Sequence, residues 1–145
     1  MKRILIVNVN WLGDTLFATP FIRAVRDNHP KAYIAILTHP RCYKILEGNP
    51  NIDEIIIYDE KKQHRNLLRR FSMVAYLRSK KFDTAFILRK SLSRTLLLLF
   101  SKIPRRVGYR SKRAGFLLTE KVDAPHKGLH KVEYFLNLAK AVGIE

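Results

Sequence analysis

A chain of 145 residues, 47% of them hydrophobic, holds enough apolar material for one packed domain and too much for a disordered tail. Lys and Arg number 28 against 12 Asp and Glu, a formal charge of +16, which points to an anionic partner: nucleic acid, a membrane surface or a phosphorylated substrate. The longest purely apolar run, LLLLF at 96–100, falls far short of a bilayer span, and the lone Cys42 excludes an internal disulfide and a thiolate-only metal centre.

RILIVNV (3–9) opens the chain as a near-continuous β-branched run, the kind buried on both faces of a parallel sheet. Lys2 and Arg3 lead straight into it with no small-residue cleavage site behind, so a cytoplasmic protein is expected. TLFATPFIRAVRDNHP (15–30) sets Leu16, Phe17, Phe21, Ala24 and Val25 at helical spacing, with Pro20 predicting an irregular first turn or a kink. KAYIAILT (31–38) follows as a strand, RCYKILEG (41–48) as a short helix stopped by Gly48, and IDEIIIYD (52–59) as a strand.

RNLLRRFSMVAYLRSKK (65–81) predicts a helix whose buried face carries Leu67, Leu68, Phe71, Val74, Ala75 and Leu77. FDTAFILR (82–89) reads as a strand, SRTLLLLFSK (93–102) as an apolar helix and RRVGYR (105–110) as a short strand. AGFLLTEKV (114–122) is open between edge strand and loop. HKVEYFLNLAKAVGIE (130–145) puts Val132, Phe135, Leu136, Ala139 and Val142 on one helical face. The most linker-like stretches are DEKKQHR (59–65) and DAPHKG (123–128). Strand and helix alternate throughout, which implies an α/β fold: a single Rossmann-like domain over 1–145 with a doubly wound parallel sheet.

In such a sheet ligands collect outside the carboxyl ends of the strands, so the first junction, VNWLGDT (9–15), draws attention. Its one glycine is neither the three-glycine dinucleotide turn nor part of a P-loop with its lysine. Gly13 would let the backbone approach a ligand closely. Asp14 is open between an N-cap, which its spacing favours, and a general base facing a substrate hydroxyl.

Two basic groupings stand out. Lys62, Arg65, Arg69 and Arg70 recur at helical spacing opposite Leu67, Phe71 and Val74, as a solvated face or an anion-binding stripe. Arg105, Arg106, Arg110, Lys112 and Arg113 surround Tyr109, as solvated surface, a phosphate clamp or an interface. Charge excess with an interleaved aromatic is also the pattern of a nucleic-acid binder, so a basic, non-catalytic nucleic-acid-binding domain is the alternative reading; no recognisable nucleic-acid motif supports it. No two histidines share ligand spacing with a third group, and no metal is expected.

The run ILIVNVNWLGDTLFATPFIRAVRDNHPKAYIAIL, with its Gly-Asp pair, Pro20 and IRAVR helix end, resembles the opening of the ADP-heptose:lipopolysaccharide heptosyltransferases, glycosyltransferase family 9. FDTAFILRKSLSRTLLLLFSKIPRRVGYR is similar to the family's Asp-x-Ala strand, Ser-rich turn, apolar helix and Ile-Pro-x-Arg-x-Gly-Tyr segment, and HKVEYFLNLAKAVGI to the last helix of its N-terminal domain. The Trp-Leu-Gly-Asp form leans towards the second heptosyltransferase of the inner core.

The resemblance implies the N-terminal, acceptor-binding half of a two-Rossmann GT-B enzyme that inverts the anomeric carbon without a metal. It would transfer heptose from ADP-heptose to the Kdo/heptose inner core. The family's donor-binding domain is absent from this chain, which is therefore expected to be inactive alone and to need no cofactor beyond the donor ADP-heptose. The resemblance makes Asp14 the base and Gly13, Trp11, Lys90, Ser91 and Arg94 acceptor contacts, with His130 and Glu133 as further candidates for the cleft; together with the charge excess it makes Arg65 and Arg69 contacts to the acceptor or to the membrane. Its implied partners are an anionic lipid-linked acceptor of the Kdo-lipid A type, the missing C-terminal domain and the cytoplasmic face of the inner membrane, with no nucleic acid. The Ser-rich turn departs from the family pattern: Lys90 precedes Ser91, Ser93 stands where the family has Lys, and Arg94 follows.

Overall fold

Alternate residues of the first strand serve two opposite cores, and this explains why its side chains are apolar without a break. In the computed structural model, which describes residues 1–125 and 128–145, β1 (Arg3–Val7) has Ile4 to Val7 completely buried. Ile4 and Ile6 pack beneath α1 (Leu12–Asn28), α2 (Tyr43–Leu46) and α5 (Lys131–Lys140); Leu5 and Val7 pack beneath α3 (Leu67–Ser79) and α4 (Leu92–Phe100). The other strands are β2 (Tyr33–Thr38), β3 (Glu54–Ile57), β4 (Thr84–Ile87), β5 (Arg105–Tyr109) and β6 (Glu120–Val122). All pair in parallel, in the order β3-β2-β1-β4-β5-β6.

Successive strands thus step outward from β1 in one direction up to β3, and the chain then returns to β1's other side at β4. The connections leaving β1 and β4 diverge, which opens a crevice at the carboxyl ends of these two neighbours. The doubly wound architecture is therefore as the alternation of strand and helix implies.

Several local readings are corrected. α1 begins at Leu12 and runs unbroken through Pro20. The Leu16 carbonyl that a proline N–H cannot reach is taken by the Thr19 hydroxyl at 2.7 Å. The segment 114–122 is a 3-10 turn over Gly115–Leu117 and then the edge strand β6. DEKKQHR is no linker: the His64 amide donates to the Asp59 carbonyl at 2.7 Å and the Asp59 amide to His64 Nδ1 at 3.0 Å. Burial, with Arg69 nearby, holds the His64 imidazole below its ordinary range. The other linker-like stretch, 123–128, lies partly outside the described residues.

The apolar face of α3 is also not the expected one. Met73 and Leu77 are buried and Val74 half-buried, but Leu67, Leu68 and Phe71 are 66%, 73% and 64% exposed. Lys62 and Arg65 precede the helix, so the basic stripe is not one helical face. Arg70 turns inward instead, its Nε donating to the His64 carbonyl at 2.9 Å and its Nη2 to that of Glu60 at 3.4 Å. The second basic grouping is largely used inside the fold. Arg105 pairs with Glu120 at 3.0 Å, Arg106 donates to the Leu117 and Ile103 carbonyls at 2.7 Å, and Arg110 pairs with Asp123 at 2.9 Å.

At the amino end of the sheet, Asp83 Oδ2 accepts the Lys2 and Arg3 amides at 2.8 Å, and Thr84 donates to Oδ1 at 2.7 Å. Burial opposes the charge, but these bonds outweigh it and hold the carboxyl below its ordinary range. A depressed carboxyl contributes stability above its unfolded value near 3.8 and loses it as pH falls through the folded value. Asp83→Asn should cost about 1.5–3 kcal/mol at neutral pH. In urea titrations run at decreasing pH, mutant and parent should converge once the parent carboxyl is protonated.

Candidate functional site

Beyond Val7 the chain turns over residues 8–11 before entering α1, and the turn is fixed from below. Asn8 is completely buried, and its Nδ2 donates to the Thr15 and Thr38 hydroxyls, each at 3.1 Å. Trp11 occupies the N-cap with no side-chain capping bond, and Thr15 takes the local contact instead, its amide and hydroxyl donating to the Trp11 carbonyl at 2.9 and 2.8 Å. Asp14 is the third helical residue, not the cap, and among the described residues its carboxylate accepts no hydrogen bond.

That carboxylate, half-buried at the positive end of α1, lines a hollow of about 270 Å³. Trp11, Arg89, Lys90, Lys131 and Tyr134 are also in its wall. The hollow sits where the β1–α1 and β4–α4 connections part, at the switch point. An open carboxylate rimmed by cations can take a proton from an alcohol while the cations hold an anionic group of the same ligand.

Gly13 is exposed, has no left-handed backbone, and an added Cβ would meet nothing within 4 Å. Nothing within the chain calls for glycine there.

Beside Trp11 a second hollow of about 220 Å³ is lined by His39, Arg41, Asp59, Glu60 and Ser93, among others. The Arg41 guanidinium lies 5.1 Å from the Trp11 ring centre. Burial, then Arg41, holds His39 below its ordinary range. A wider hollow of about 510 Å³ runs along Arg89, Lys90, Ser91, Ser93, Ser111 and Arg113. Among the described residues none of Arg89, Lys90, Arg113 and Lys131 forms an ion pair.

Other expected contacts have different employment. Arg94 is only 3% exposed. Its Nη1 donates to the Asn8 carbonyl at 2.8 Å, its Nη2 to Asn10 Oδ1 at 2.5 Å, and its Nε lies 3.5 Å from Glu60. Burial pushes its pKa down and Glu60 pulls it back. Arg94 therefore holds the β1–α1 turn, and it also lies in the wall of the second hollow, beside Asn10 and Trp11. Ser91 caps α4, accepting the Arg94 amide at 3.4 Å, yet still lines two of the hollows.

His130 caps α5, its Nδ1 accepting the Val132 amide at 3.2 Å, and its ring packs edge-on against Phe17 of α1 with ring centres 5.0 Å apart. Glu133 is exposed, and neither residue lines the hollow. Lys131 and Tyr134, one turn apart on the same helix, are there in their place. The signal for them was helical phase: Phe135 in the core fixes which side of α5 faces inward. Arg65 and Arg69 are exposed and line none of the hollows described above. Among the described residues no group of three or more His, Cys, Asp or Glu could hold a metal ion.

No protein-family model matches the chain. It is 27% identical over 143 residues to lipopolysaccharide heptosyltransferase 2 of Escherichia coli K12, covering 98% of this chain and 41% of that protein. The crystal structure of a family 9 glycosyltransferase from Veillonella parvula superposes with a TM-score of 0.87 at 25% identity, covering 99% of this chain and 42% of the other. The ADP-heptose lipopolysaccharide heptosyltransferase II structure from E. coli gives 0.75 at 28% identity, covering 96% and 40%. In sequence and in fold, nearly the whole chain is thus similar to about two fifths of a family 9 heptosyltransferase.

Proposed function

We propose that this chain is the acceptor-binding part of an inverting glycosyltransferase that moves heptose from ADP-heptose to an inner-core sugar of lipopolysaccharide. The observation that carries the reading is the unpartnered Asp14 carboxylate in a cation-rimmed hollow at the switch point. The similarity to lipopolysaccharide heptosyltransferase 2 over 98% of the chain supplies the substrate class.

In the proposed reaction an acceptor hydroxyl sits against Asp14 and the acceptor's anionic groups lie against Lys90, Lys131 and Arg89. As the hydroxyl oxygen attacks the anomeric carbon, its proton passes to Asp14. The bond from that carbon to the ADP oxygen breaks and its electron pair leaves with ADP. Attack opposite the leaving group inverts the centre. Trp11 offers a flat apolar face to a sugar ring. ADP-heptose is assigned to the part of the relatives' length that this chain does not span. The setting proposed is the cytoplasmic face of the inner membrane, reached from the aqueous side; among the described residues no helix is long and apolar enough to cross a membrane.

The test is transfer by the full-length protein with ADP-heptose and Kdo-lipid A or its heptosylated form. Formation of a heptosylated product with inverted anomeric configuration is expected, and no transfer to either acceptor overturns the reading.

Gly13 supplies a second check. Alanine is the better helix former by about 0.5–1 kcal/mol and has open space here. Gly13→Ala should therefore raise the denaturation midpoint slightly; with Gly13 proposed as an acceptor contact it should also raise the KM for acceptor, although Gly13 lines none of the hollows described above. An unchanged KM would separate Gly13 from the acceptor.

A further inference from the structure

The first turns of α3 present an apolar surface that the fold does not cover. At 3.6 residues per turn Leu67, Phe71, Ala75 and Leu68 fall within one sector roughly 100° wide, opposite the buried Met73 and Leu77. All four are exposed. The helix has no acidic residue, and Arg69 and Arg78 lie on it, with Lys62 and Arg65 just before it. None of these four cations forms an ion pair among the described residues.

We infer that this face of α3 docks on an anionic lipid bilayer, with Leu67, Leu68 and Phe71 entering the headgroup boundary and the surrounding cations meeting lipid phosphates. Charge complementarity selects this occupant, since Lys62, Arg65, Arg69 and Arg78 accompany the apolar face, α3 itself carries no acidic residue, and the chain carries +16 overall. Area agrees with this occupant. Three side chains exposed to this extent offer roughly 400 Å², about half of what each partner contributes to a stable protein interface. A shallow anchor needs only such a patch combined with basic residues.

Placement agrees with the proposed function, on which the purpose of docking rests. Arg70, in the first turn of α3, bonds the Glu60 carbonyl, and Glu60 accepts Ser93 at 2.9 and 3.0 Å and faces Arg94. The docking face is thereby tied to the rim of the cleft, so a docked protein would hold its mouth close to a lipid-linked acceptor.

The experiment is co-sedimentation of the full-length protein with phosphatidylcholine vesicles, with and without phosphatidylglycerol, for the parent and for Leu67→Ser/Leu68→Ser/Phe71→Ser. The parent should bind the anionic vesicles and release with salt. The triple variant, with an unchanged circular dichroism spectrum, should bind them about tenfold more weakly. It should keep parental turnover on a water-soluble, delipidated acceptor, a readout that separates loss of docking from failure of the enzymatic reading. Equal binding by the triple variant, no binding by the parent, or a parental dimer that the triple variant abolishes would each overturn the inference.

Discussion

Arg94→Ala is expected to lower the stability of the chain by about 3 kcal/mol, read as a large drop in the urea midpoint with little change in slope. The guanidinium is 3% exposed and joins three groups from two different segments: the Asn8 carbonyl, Asn10 Oδ1 and Glu60. Removing it leaves the buried Asn8 carbonyl and the half-buried Asn10 Oδ1 without this donor, and Asn8 Oδ1 already lacks a partner there. Glu60 keeps 24% of its side chain exposed and can recover water, which places the loss at the low end of the range for a broken buried pair. Arg94→Lys should rescue little, since one ammonium cannot span three acceptors set in a fork. A loss below about 1 kcal/mol for Arg94→Ala would show that the β1–α1 turn holds itself.

The same residue shows where a sequence stops being legible. A cation following a serine-rich turn looks like a ligand contact, and only packing reveals that this guanidinium is enclosed under Asn8. The architecture is a different matter. Unbroken apolar runs such as ILIV require cover on both faces, and alternation with helices leaves few topologies, so a doubly wound parallel sheet with the Gly13-Asp14 junction at the carboxyl ends of its strands could be read in advance, while the order of the strands could not.

Helix phase was partly legible on α5, where Phe135 and Ala139 are buried as expected, but Val132, Leu136 and Val142 are only half-buried and Leu138, outside the expected face, is completely buried. It failed on α3, where apolar residues occur around most of the helix and tertiary contact picks Met73 and Leu77 over Leu67 and Phe71. The capping bond of His130 was not legible either. As the N-cap its side chain is committed to the helix's own amide, and the cleft receives its neighbour Lys131.

Asp14→Asn carries the second large effect. The amide has the shape of the carboxylate but cannot take a proton, so a proposed base should lose at least the roughly hundredfold that general-base catalysis contributes, or about 2.7 kcal/mol of barrier. Stability should change little, because the carboxylate accepts no hydrogen bond among the described residues and forfeits only its attraction to the helix end, about 0.3–1 kcal/mol. A structural aspartate would give the opposite pattern, with a lower midpoint and a parental rate per folded molecule.

Heptose transfer in a single turnover, with donor and acceptor both saturating on the full-length protein, isolates the chemical step from binding and release. The proposed role of Asp14 requires the Asn variant to be at least about a hundredfold slower at undiminished acceptor affinity. A variant that transfers heptose within a few-fold of the parental rate would contradict it.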